Sequence, residues 1–191
     1  MIDAPVSAQL VEAFANTVDV ELGTDDLDTA KKLSDWLTGR GLLDRGRRVS
    51  ADDHALALRL RAGIREELGA NVGDTAEPGQ LVGADEALRE LPVFVTVRGG
   101  DRHSALTPDP ELPPVRHALA GVAIAWSDLV VTGDAARLKR CAEHACAWVF
   151  WDVSKNRSRR WCSMRVCGNR NKARRYAAKQ TATTGAGVPR P

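Results

Sequence analysis

The sequence predicts an α+β protein in two parts: a mainly helical N-terminal domain with a small β-hairpin, and a compact cysteine-rich unit behind it. Three observations carry that expectation. Apolar residues recur at helical spacing through most of the first 136 residues, all four cysteines fall in the last third, and the charge of the two parts is opposite in sign. At 191 residues and 43% hydrophobic content, the chain is long enough for one main core plus a small appendage.

The elements follow in order. Val6, Leu10, Val11, Phe14 and Val18 repeat at helical spacing and predict a first amphipathic helix. Thr24-Asp25-Asp26 can cap a second helix carrying Leu27, Ala30, Leu33 and Leu37, ended by Gly39 and Gly41. Ser50 opens a third, in which Leu56, Leu60, Ile64 and Leu68 return every four residues. A Gly-, Asp- and Pro-rich stretch from Gly69 to Gly83 reads as a loop, and Ala84 to Leu91 as a short helix. Val93 to Val97 alternates as a strand, Gly99-Gly100 supplies a turn, and Arg102 to Leu106 returns. Four prolines between Pro108 and Pro114 exclude regular structure until an apolar helix from Val115 to about Val131, expected at the centre of the core. Its longest unbroken apolar run, Ala118 to Trp126, is much shorter than the roughly twenty residues of a membrane span, so no membrane partner is expected. The N-terminus lacks a basic stretch followed by an apolar one, and a cytoplasmic location is expected. The segment 181–191 is small, polar and Gly- and Pro-containing, and reads as a disordered tail.

Cys141, Cys146, Cys162 and Cys167 are spaced Cys-x4-Cys-x15-Cys-x4-Cys. Two close pairs separated by a hairpin-length stretch is how one tetrahedral zinc ion is held, with thiolates at about 2.3 Å. Four unrelated thiols or two disulfides are the alternatives, and nothing places the chain in an oxidising compartment. His144 lies between the first two cysteines as an alternative ligand, although four thiolates already complete a closed site. A closed site leaves no position for water or substrate, so the metal is structural and the unit is not expected to be an enzyme. Trp148 to Val153 favours a strand, Ser154 to Ser158 a turn, and Arg159 to Cys162 a returning strand. From Gly168 onward the residues favour a helix, with Asn169 available as its cap. Knuckle, hairpin, second pair and helix make a treble-clef-like, four-cysteine zinc finger over residues 137–180.

Residues 137–179 hold thirteen Lys or Arg against Glu143 and Asp152, a charge of +11, while the rest of the chain carries −9. A basic excess coincident with the finger points to a polyanion partner. Arg157, Arg159 and Arg160 on the hairpin, and Arg170, Lys172, Arg174 and Arg175 on the helix, are the candidate phosphate contacts; Asn169 and Arg170 could also reach base edges. Duplex DNA is the expected partner. A finger docking on an acidic protein, and single-stranded binding by stacking on Trp161 or Tyr176, remain open.

The motif Cys141-x4-Cys146, Trp148-Val-Phe150-x-Asp152-x-Ser154, Arg159-Arg160-Trp161-Cys162-Ser163-Met164 and Cys167-Gly168-Asn169-Arg170 resembles the CGNR zinc finger family. In that family the finger follows a domain called ABATE, and Phe14-Ala15-Asn16-Thr17 and Leu33-x-x-Trp36-Leu37 resemble segments of it. The resemblance implies a stress-induced bacterial transcription regulator that binds DNA, with an ABATE domain over residues 1–136. A homodimer and a small-molecule effector are expectations of such a regulator, and Asn16, Thr17 and Trp36 are the candidate pocket residues. The acids at Asp25, Asp26 and Asp28 and at Asp52 and Asp53 sit where helix starts favour them, and no P-loop, dinucleotide fingerprint or His-Glu-x-x-His motif is present.

Overall fold

The computed structural model describes residues 2–97 and 105–184, with side chains to residue 180. The helical part comprises α1 (Val6–Ala15), α2 (Ala30–Gly39), α3 (Ala51–Ala70), α4 (Pro78–Arg89) and α5 (Pro114–Thr132). α5 lies against α1, and α3 against α4. Ser50 caps α3 by accepting the Asp53 N–H at 3.0 Å, and Leu56, Leu60, Ile64 and Leu68 form its buried stripe, as the periodicity requires. A Cβ added at Gly63 would lie 2.2 Å from that of Ala84, so α3 and α4 approach as closely as they do because position 63 has no side chain. α5 buries Leu119, Val122, Ala123, Ile124 and Leu129 and ends at Gly133, whose φ of 74° favours glycine. By length and composition α5 is apolar enough to cross a membrane, and its packing in the core accounts for that composition.

Several boundaries differ from the sequence expectation. Val18 is not on α1; with Asp19 it forms β1 (Val18–Asp19), paired antiparallel to β2 (Thr24–Asp25). Thr29, not Thr24, caps α2, accepting the Lys32 N–H at 3.2 Å. Asp25 is diverted because its carboxylate takes both guanidinium nitrogens of Arg61, at 2.7 and 2.6 Å, and the Leu27 N–H. Asp53 likewise pairs with Arg116 at 2.9 Å, so neither acid is spent on a helix end alone. The loop expected from Gly69 to Gly83 shrinks to residues 71–77, since Pro78 starts α4 at a position where its missing N–H costs nothing. β3 (Val93–Val95) pairs with β4 (Leu106–Pro108). Pro108 is tolerated at the end of a two-stranded ladder, and the Gly99-Gly100 turn lies outside the described residues.

The second unit is not a detached appendage. A 3₁₀ turn at Asp134–Arg137 leads into β5 (Leu138–Arg140), which pairs antiparallel with β6 (Val149–Trp151). Leu138, Val149 and Trp151 point into the same core as the helices, while Phe150 packs with the cysteines on the opposite face. The alternation along β6 therefore serves two cores at once.

Candidate metal centre

The first cysteine pair is carried by the connection between β5 and β6. The hairpin thus flanks this pair, whereas the sequence suggested a ladder between Trp148–Val153 and Arg159–Cys162. Cys141 donates its N–H to Trp148 O at 2.8 Å, Cys146 and Ala147 both donate to Glu143 O at 2.8 Å, and Ala147 takes a φ of 49° to close the turn. The 159–162 segment joins this knuckle by a bond from the Ala142 N–H to Arg160 O at 2.9 Å. The second pair precedes α6 (Asn169–Thr184), on a π-helical turn at Met164–Gly168. Ser163 caps that turn, accepting the Val166 N–H at 3.3 Å, so Asn169 is the first residue of α6 rather than its cap and donates to Arg165 O at 2.9 Å. No proline or glycine interrupts the chain before Gly185, and α6 accordingly runs to Thr184, into the segment expected to be tail.

All four sulfurs lie within 4.8 Å of one another, and none is in a disulfide. Cys146 Sγ is 3.6 Å from Cys162 Sγ, which is 3.7 Å from Cys167 Sγ. A tetrahedron with metal–sulfur bonds of about 2.3 Å has edges of about 3.8 Å, so the donor set fits one zinc ion. Burial and then the neighbouring sulfurs push the Cys162 thiol up, and burial raises Cys167 to about 11. The crowded site therefore favours protonated thiols until a divalent cation compensates the thiolate charge. When bound, zinc ties the knuckle to the start of α6 and leaves no open position for catalysis. His144 is turned outward, 3.3 Å from Asp74, and is not part of the donor set.

The two acids in this basic segment hold it together. Asp152 is fully buried; it accepts N–H groups of Ser154 and Arg159 and the Lys139 Nζ, each at 2.9 Å. Burial raises its pKa, but the hydrogen bonds from Ser154, Lys139 and Arg159 win and hold it at about 2. Lys139 Nζ also donates to Arg157 O and Arg159 O, fixing the loop between the cysteine pairs. Glu143, 1% exposed, receives both ends of the Arg174 guanidinium, which lowers its pKa and pins α6 to the knuckle.

The expected phosphate contacts separate into two groups. Arg174 is paired with Glu143 and Arg170 with Glu21, the latter at 2.7 Å. Arg159 donates to Cys162 O at 2.6 Å and stacks over Phe150. Arg157, Arg160, Lys172 and Arg175 are exposed and have no ion pair among the described residues, Arg157 reaching only the Gly133 carbonyl at 3.3 Å. Trp161 is half-buried against the cysteine cluster, with its indole N–H unpartnered, while Tyr176 is exposed.

The three candidate pocket residues serve other ends. Asn16 donates to Val149 O and accepts from the Val149 N–H, both at 2.8 Å, clasping β6 to the end of α1. Thr17 donates to Phe14 O and accepts from Arg61. Trp36 packs on Phe14 and beneath Arg40. None of them lines the cavity between α3 and α4, of about 320 Å³, or a second of about 290 Å³ near Leu42 and His117.

Two family models match the chain. The ABATE model, described as "Putative stress-induced transcription regulator", covers residues 8–133. The CGNR zinc finger model covers residues 137–180, which contain all four clustered sulfurs. No curated protein matches. The chain belongs to the ABATE family and carries a CGNR zinc finger behind its ABATE domain.

Proposed function

We propose that the protein is a DNA-binding transcription regulator whose zinc finger presents α6 and the neighbouring loop to duplex phosphates. The observation that carries this reading is α6 itself. From Lys172 to Gln180 every side chain is exposed, including Ala173, Tyr176 and Ala177, so this described stretch of the helix buries no face against its own protein. Helices polar all round depend on partners or on side-chain pairs. Here the charges are mostly of one sign, and the acids in reach, Glu21 and Glu143, are already used by Arg170 and Arg174. Of the expected contacts, the four that keep no ion pair among the described residues, Arg157, Arg160, Lys172 and Arg175, supply the phosphate contacts. Arg159 and Arg174 shape the finger, while Arg170 and Asn169 reach bases after exchanging their internal contacts.

The test is a salt series on duplex binding. Four to five phosphate contacts predict that log K falls against log salt with a slope of about −4. Neutralising Arg160, Lys172 and Arg175 together lowers the slope by about 3 units and leaves the zinc content unchanged. A slope near zero, or one insensitive to these substitutions, removes phosphate recognition from the account and favours an acidic protein partner.

A further inference from the structure

We infer that the cleft between α3 and α4 binds a small organic carboxylate against Arg65. Its volume, about 320 Å³, lies at the lower end of the range for small-molecule sites, roughly 300–1,000 Å³. Arg61 and Arg65 form part of its wall, both more than nine-tenths buried, and Leu58 and Ala62 add apolar surface.

The two arginines differ in what they meet. Arg61 is matched by the Asp25 carboxylate and by Thr17. Arg65 gives one N–H to Ala15 O at 2.6 Å and one to Ala147 O at 3.0 Å, and no described carboxylate lies within ion-pair distance of it. Its neighbour Glu66 lines the same cleft, but its carboxylate is taken by Arg140 at 2.5 Å and by the Glu77 N–H at 3.1 Å. Burial, then Arg140 and Arg61, lower the Arg65 pKa to about 10 against the smaller opposing influence of Glu66 and Asp25, so it stays a cation at neutral pH with no carboxylate in contact. A guanidinium carries five N–H donors, of which two are spent.

A planar carboxylate accepts such donors as a fork, and an unpaired buried charge is costly enough that an anion filling the cleft relieves it. Glu66 and Glu77, which also line the cleft, repel a second negative charge, and the Leu58 and Ala62 wall suits a carbon body. The matching ligand is therefore a monoanion with an apolar end. The site lies wholly in the ABATE domain and stands whether or not the finger grips DNA. It also adjoins the finger, since the same guanidinium holds Ala147, next to the ligand Cys146.

The experiment titrates the zinc-loaded full chain with acetate, benzoate, inorganic phosphate and benzyl alcohol at constant ionic strength, reading the thermal midpoint. Benzoate is expected to raise it saturably, and benzyl alcohol, its neutral counterpart, is not. Ala62→Phe fills the cleft without touching the Arg65 bonds, and Arg65→Gln removes the charge; each is expected to weaken benzoate by about tenfold or more. If Arg65→Gln does not fold, Ala62→Phe decides. No saturable shift with either carboxylate, an undiminished shift in Ala62→Phe, or tighter binding of phosphate than of benzoate overturns the assignment.

Discussion

Asn16 spends its whole amide on one residue of β6, so a single side chain stitches the ABATE domain to the finger. Asn16→Ala leaves the buried N–H and C=O of Val149 without partners and is expected to cost about 1–3 kcal/mol, measured by denaturant unfolding of zinc-loaded protein. Asp152 plays the equivalent part within the finger. Removing one partner of a buried pair costs about 3 kcal/mol or more, so Asp152→Asn is expected to destabilise by that amount because Lys139 loses its counter-charge. The native pKa of about 2 lies below the ordinary 3.8. The stability Asp152 contributes is therefore fully present above about pH 4 and disappears as pH falls towards 2, and the difference between wild type and variant should shrink over that window. A difference that is flat with pH would mean that the carboxylate is not ionised in the fold. The four cysteines were legible from spacing because metal ligation constrains sequence distance directly. Asn16, Asp152 and Glu143 were not, because their partners are fixed by where the chain returns. The one available signal was that Glu143 and Asp152 are the sole acids in a strongly basic stretch.

At the level of elements, what could be read was what local periodicity determines. α3 was visible from Ser50 and its leucine stripe, and α5 from its apolar content. β1 and β2 are two residues each and carry no pattern. β5 is not legible in the sequence because Leu-Lys-Arg does not read as a strand: its burial, Lys139 included, comes from the tertiary environment. The cap lies at Ser163 and not at Asn169 for a related reason, since the π-helical turn brings the helix path back to Ser163. Close packing of α3 on α4 gives a test in which two effects compete. Gly63→Ala gains about 1 kcal/mol of helix propensity, but the added methyl group meets Ala84 and the Gln80 carbonyl. Overpacking typically costs about 1–3 kcal/mol, so a net lower melting temperature is expected; a higher one would show that the helices separate freely.

Across the whole molecule, the hairpin has one face in the main core and the other in the cysteine cluster, which couples metal to fold. Chelation is therefore expected to lower the thermal midpoint of the entire chain in one transition, rather than melting a peripheral unit before the rest, because a ligand of the native state stabilises whatever unfolds with its site. Two separated transitions by circular dichroism would instead describe a finger hinged on an independent domain. The charge distribution acts at the same scale: a finger of +11 beside a remainder of −9 orients the molecule in the field of a polyanion. The most direct test of the account is fluorescence anisotropy on labelled genomic duplex fragments with metal-loaded protein, chelated protein and Cys162→Ser at several salt concentrations. The account predicts salt-sensitive binding by the loaded protein, lost on chelation, restored by zinc and absent in the variant. Loaded, folded protein that leaves the duplex free at low salt, or binding unaffected by metal, would contradict it.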